Sequence, residues 1–154
     1  MLDIIKGAVS LGLLWSVMTI GVYISYRILE IADLTVEGSI TLGAAIAAQA
    51  ITKGINPYIA TGIALLGGMA AGLVTGLLHT KLKIPALLSG ILTMIALYSV
   101  NLRILGKASL SLLRMETVYT PFEKIGLEST WATIALGLIS VTIVICFLYW
   151  FFGT

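Results

Sequence analysis

Apolar residues in this chain come in long unbroken runs, not in the alternating or one-faced patterns of a solvated domain. The runs are Gly7–Leu29, Ile31–Ile51, Tyr58–Leu78, Ile84–Leu105 and Trp131–Phe152. A helix needs about 20 apolar residues to cross the hydrocarbon of a bilayer, and four of the runs reach that length without interruption. The second does not: from Ile40 onward it is too short, and from Ile31 it includes Asp33 and Glu37. It therefore reads as a broken or re-entrant segment, with Gly38 and Ser39 as the residues at which a helix could stop and restart. The predicted class is all-α, a polytopic membrane protein with about five membrane segments in a single transmembrane domain over residues 1–154.

Local punctuation sharpens the boundaries. Asn56-Pro57 and Pro85 stand where the third and fourth runs begin, and proline suits the first turn of a helix. In the third run Ala60, Ala64, Gly68, Gly72 and Gly76 recur every four residues. Such a stripe of small side chains lets two helix backbones approach closely in lipid, and this face is expected to pack against protein. Ser39, Gly43 and Ala47 repeat the pattern in the second run. Trp131 opens the last run and Tyr149-Trp150 closes it, as aromatic residues do at membrane interfaces. Trp15, in the middle of the first run, reads as a packing residue. The connection over residues 106–130 is the one sizeable polar stretch. It carries Lys107, Arg114, Glu116, Glu123, Lys124 and Glu128, with Pro121 and Gly126 as turn residues. Leu110–Leu113 within it could lie on the membrane as a short amphipathic piece.

Composition agrees. Of 154 residues, 59% are hydrophobic and 10% charged, with a mean hydropathy of +1.09; a soluble domain carries about 25% charged residues. The net charge of +2 is too small and scattered for nucleic acid binding. The single cysteine, Cys146, has no intrachain partner and reads as a small buried hydrophobe. His79 is the only histidine, and no metal-ligand spacing is present. The first run lacks the exit of a cleaved signal peptide. Lys81 and Lys83, in a tight loop between two strong runs, favour a cytoplasmic placement of that loop. Residues 106–130 would then be external. With five crossings Met1 is outside; with a re-entrant second segment it is inside.

The candidate chemistry is concentrated in Asp33-Leu-Thr-Val-Glu-Gly-Ser39. A carboxylate at bilayer depth costs about 2.5–3.5 kcal/mol on insertion scales, so it marks a use. Asp33 and Glu37 would share a face of an unbroken helix and repel each other. A break at Gly38-Ser39 puts both acids ahead of a new helix that Ser39 could cap, with the positive end of the dipole beside them. The alternative is that both sit in an interfacial loop beside Arg27 and Glu30. An intramembrane enzyme built on this pair would need a catalytic partner on another run, and none is present; no catalytic residue, metal or cofactor is assigned.

Two stretches carry a family resemblance. Ala32-Asp-Leu-Thr-Val-Glu-Gly-Ser-Ile-Thr-Leu-Gly-Ala resembles the second-segment motif of ATP-binding-cassette importer permeases of the branched-chain amino acid and ribose type. Leu88-Ser-Gly-Ile-Leu-Thr-Met-Ile-Ala-Leu-Tyr-Ser-Val-Asn-Leu-Arg-Ile-Leu-Gly-Lys is similar to the subgroup described as tryptophan or tyrosine uptake permeases. The resemblance implies a permease subunit importing a small solute, an amino acid. It further implies a second permease subunit, cytoplasmic ATPase subunits that hydrolyse the ATP, an extracytoplasmic solute-binding protein and a bacterial cell membrane. Carried over by position, it places Asp33, Leu34, Thr35, Val36, Glu37, Gly38 and Ser39 beside the solute path, with Asn101 and Arg103 at its outer mouth. The family pattern continues past the fifth crossing into a coupling segment for the ATPase, so this chain looks like the N-terminal half of such a permease. The alternative function is a small structural or assembly membrane protein held by the glycine stripe.

Overall fold

A computed structural model describes residues 2–30, 33–107, 110–112, 115–118, 120 and 129–152. The described helices are α1 (Leu2–Leu29), α2 (Thr35–Thr52), α3 (Pro57–Thr80), α4 (Ala86–Leu105) and α5 (Ser129–Phe152). Among the described residues four stretches are long and apolar enough to cross a membrane: Ile4–Arg27, Pro57–Thr80, Ala86–Leu105 and Thr130–Phe151. α2 is not among them. At 18 residues it spans about 27 Å, but Glu37, Gln49 and its threonines, serine and glycines lower its hydropathy.

The chain forms two compact units, one of Met1–Gly21 with Tyr119–Thr154 and one of Val22–Val118. In the first, α1 and α5 meet at Gly137. A Cβ added there would stand 2.9 Å from the Leu13 Cβ, so glycine is what permits the approach. Lys6 Nζ lies 5.5 Å from the centre of the Trp131 ring, a cation–π pair. Cys146, expected to be buried, is exposed on α5. In a helix that meets lipid, an outward thiol is simply another apolar side chain. Trp15 is likewise half-exposed rather than enclosed.

The second unit is organised around α2. Thr35 meets Thr75 near the end of α3, and Ala50 and Ile51 cluster with Ala60 near its start, so α2 and α3 run antiparallel. Gly90, Met94 with Leu97, and Asn101 of α4 meet Asp33, Gly38 and Thr41 in ascending order, so α2 and α4 run parallel. Most of the buried positions are small or polar, among them Thr35, Gly38, Ala45, Ala60, Ala71, Ser89, Gly90 and Thr93, with Leu42, Ile51 and Leu97 the large apolar exceptions. Larger apolar side chains such as Leu65, Leu66, Met69 and Leu73 point outward. This inversion suits a protein whose surroundings are lipid, where backbone proximity and dispersion hold helices together.

Turn chemistry follows the sequence closely. Asn56 Oδ1 accepts from the backbone N–H of Tyr58 at 3.0 Å, and Pro57 occupies the first helical position of α3. Gly106 ends α4 at φ 65°. The α3–α4 loop is closed by His79 Nδ1 and the Ile84 carbonyl at 2.9 Å. Leu110–Leu112 is irregular rather than helical, and Leu112 packs on the Ala50, Ile51 and Ala60 cluster. The short amphipathic piece expected over Leu110–Leu113 is thus not helical at 110–112; Leu113 lies outside the described residues, as do Arg114, Pro121, Glu123, Lys124, Gly126 and Glu128.

The small-residue stripe of α3 divides. Ala60 is fully buried, Ala64 and Gly68 are half-buried, and Gly72 and Gly76 are exposed. Steps of four residues advance about 40° beyond a full turn, so a straight stripe drifts away from a neighbour that it meets at one end. Ala71 and Thr75 take over the contact with α2.

Gly38 holds the tightest described approach between α2 and α4. A Cβ there would come 3.0 Å from Leu97 Cδ1 and 3.2 Å from the Met94 Cα. Since one obstacle is backbone, Gly38→Val should lower stability by about 1–3 kcal/mol, read from unfolding of the detergent-solubilised protein. Gly62, with open space around it, is the control: Gly62→Ala should be neutral or slightly stabilising. Equal effects at both positions would contradict the packing described.

Candidate functional site

The start of α2 lies inside the unit rather than at its edge. Thr35 contacts Thr75, which lies five residues before the end of α3. At 1.5 Å per residue the first turn of α2 is recessed by about 7.5 Å from that end. Glu30, which follows α1, has φ 56°; Ile31 and Ala32 lie outside the described residues.

A recessed helix start leaves backbone N–H groups without water, and they need partners. Asp33 supplies one: its Oδ1 accepts from the Thr35 N–H at 2.9 Å, an Asx-type turn. Thr35 is almost fully buried, and its hydroxyl meets that of Thr75 at 2.9 Å. α4 closes the other side with Ser89, fully buried, and Gly90. A Cβ on Gly90 would stand 2.9 Å from Asp33 Oδ1 and 3.3 Å from the Leu34 nitrogen. Gly90 is thus the space that the Asp33 turn occupies.

The helix break expected at Gly38-Ser39 is not there. α2 is continuous from Thr35, and the interruption falls before it. Ser39 does not cap: its hydroxyl donates to the Val36 carbonyl at 2.9 Å within the helix. Gly38 serves close packing instead of flexibility. Asp33 and Glu37 also do not act as a pair on one face. Asp33 borders a cavity of about 220 Å³ with Gly72, Thr75, Gly76, His79 and Thr80. Glu37, in the first turn of α2 where the dipole favours an anion, borders a separate crevice of about 290 Å³ between α2 and α4.

Asn101 is buried. Its Nδ2 donates to Thr41 Oγ1 at 3.0 Å, while its Oδ1 has no hydrogen-bond partner among the described residues. Arg103, two residues on, is exposed. Pattern reading missed Thr41, Thr75, Gly90, Met94 and Tyr98, since their partners lie far away in sequence. The available signal was a hydroxyl or a glycine within an apolar run, which has too many innocent uses to single them out. Among the described residues no group of three or more His, Cys, Asp or Glu could hold a metal.

Long apolar helices packed through small residues around a recessed, polar helix start define a polytopic helical membrane protein. The family described as branched-chain amino acid transport system / permease component matches residues 4–154, and the chain belongs to that family. It is 51% identical over 108 residues to the tyrosine transport system permease protein of Clostridioides difficile (strain R20291), covering 70% of this chain and 37% of that protein. It is 38% identical over 117 residues to the uncharacterized protein RP368 of Rickettsia prowazekii (strain Madrid E), covering 76% of this chain and 41% of that protein. The chain thus spans about two fifths of the length of these relatives. No solved structure matches it significantly.

The Thr35–Thr75 contact is measurable. Thr35→Val and Thr75→Val should each destabilise, and the double variant should cost less than the sum. The coupling should be about 0.6–1.7 kcal/mol, the range for hydroxyl pairs between membrane helices. Additive losses would mean that the two hydroxyls do not bond. Gly90→Ala should destabilise as well, by displacing the Asp33 turn.

Proposed function

We propose that this chain forms the first part of the membrane-spanning permease subunit of an ATP-driven importer, and that the solute is an amino acid. The observation that carries the reading is the recessed start of α2, with Asp33 and Glu37 at its positive end, in a chain of the permease family. Polar groups and a helix terminus held within an apolar assembly are a recurrent means of offering a solute a path. The 51% identity over 108 residues to a tyrosine transport system permease supports an amino acid as cargo.

In this reading the subunit lies in a bacterial cell membrane and works with a second permease subunit. Separate cytoplasmic subunits hydrolyse ATP, and an extracytoplasmic binding protein delivers the solute. The loop bearing Lys81 and Lys83 faces the cytoplasm. The start of α2 lies toward the same end of the unit, so Asp33 stands on the exit side of the path. The segment over residues 106–130 is external, with Arg103 near that side.

The test is reconstitution of the full-length permease with its ATPase and binding protein in proteoliposomes. Tyrosine or a related amino acid should stimulate ATP hydrolysis and accumulate. Asp33→Asn and Glu37→Gln should reach the membrane in normal amounts yet lower uptake about tenfold, the equivalent of one charge-assisted hydrogen bond. Unchanged uptake in both variants would remove the start of α2 from the path.

A further inference from the structure

The crevice between α2 and α4 is built from matching triplets. Glu37, Gly38 and Thr41 face it from α2, and Met94, Ile95 and Tyr98 from α4. Each set has i, i+1, i+4 spacing, so the two parallel helices present the same ridge to each other. Gly38 sets the separation there, since a Cβ on it would crowd Met94 and Leu97. The volume of about 290 Å³ is at the lower bound of small-ligand sites.

The polar groups around this crevice are nearly all acceptors. Glu37 offers a carboxylate with no cationic partner among the described residues; ionised, it can only accept. The Thr41 hydroxyl spends its proton on the helix, donating to the Gly38 carbonyl at 2.8 Å. One of its lone pairs takes the Asn101 amide proton at 3.0 Å, which leaves the other lone pair free. Asn101 is not part of the crevice lining; its Nδ2 bond orients the Thr41 hydroxyl from behind the packed helix face. α4 contributes a thioether, an aliphatic side chain and a phenol ring, all on one side. Met and aromatic faces suit a flat or apolar body.

We infer that this crevice is a subsite for the ammonium end of an α-amino acid with an apolar or aromatic side chain. Glu37 pairs with the ammonium, Thr41 accepts one of its protons, and the side chain lies against Met94, Ile95 and Tyr98. The Asn101 amide is a positioning group that fixes the Thr41 hydroxyl. This rests on the importer reading and adds a location and a basis for selectivity. The site discriminates by the ammonium, so the deaminated analogue of the same amino acid is excluded.

The experiment uses the full-length permease assembled with its ATPase and binding protein. Cys146 and any other cysteine of the full-length permease are replaced by serine and Ile95 by cysteine, with Met94→Cys as a second reporter. L-Tyrosine should slow maleimide labelling of the reporter, and 3-(4-hydroxyphenyl)propionate, which lacks the ammonium, should not. Glu37→Gln should raise the tyrosine concentration needed for protection at least tenfold, and Tyr98→Leu should erase the preference for tyrosine over leucine. Thr41→Val should weaken protection, whereas Thr41→Ser restores it. Equal protection by both probes, protection untouched by Glu37→Gln, or none with either reporter would overturn the assignment. Uptake by the same assembly is scored separately. Protection without uptake keeps the subsite and sinks the importer reading; uptake without protection does the reverse.

Discussion

A helix that starts inside an apolar assembly must find partners for its first N–H groups, and most of the second unit is shaped by that requirement. Asp33 bends back to accept from Thr35. The turn takes up space, which Gly90 yields and a larger residue could not. Thr35 then needs a polar neighbour of its own, and Thr75 provides it from α3. α2 is consequently pinned to both neighbours at one level. Its remaining contacts, through Gly38 on α4 and through Ala45, Ala50 and Ile51, follow from an axis set by those first residues.

The same constraint explains why the two acids have separate surroundings. Had the helix run unbroken through Asp33, the carboxylates would have stacked one turn apart. Because it begins at Thr35, Asp33 turns toward the end of α3 and Glu37 toward α4. One carboxylate is engaged in holding the backbone, and the other has no protein partner among the described residues. A structural acid and an available acid thus sit four residues apart, distinguished only by where the helix starts.

Much of this architecture was legible in the sequence. The apolar runs gave the helices, and Asn56-Pro57 and Pro85 gave two helix starts to within a residue, since capping and proline effects act locally. Asp33-to-Ser39 stood out because charge in an apolar run is costly. What could not be read was tertiary. Gly38 looked like a hinge because glycine loosens an isolated helix, but against Met94 and Leu97 its value is the missing side chain. Thr35 and Thr75 are 40 residues apart, and Thr41 and Asn101 are 60; no local rule joins them. The α3 stripe was visible as a repeat, yet how far it stays in contact depends on the course of α2, which the repeat does not encode.

One consequence concerns how the chain is made. α2 lacks the apolarity of the other four described helices, and its polar start is satisfied by Thr75 and accommodated by Gly90, both of which come later in the chain. During synthesis α2 emerges before the helices that stabilise it. Its commitment to the bilayer is therefore a cooperative event, completed when α3 and α4 arrive. Biogenesis and packing share a single determinant here: a substitution at Gly90 or Thr75 bears on the placement of a segment already translated.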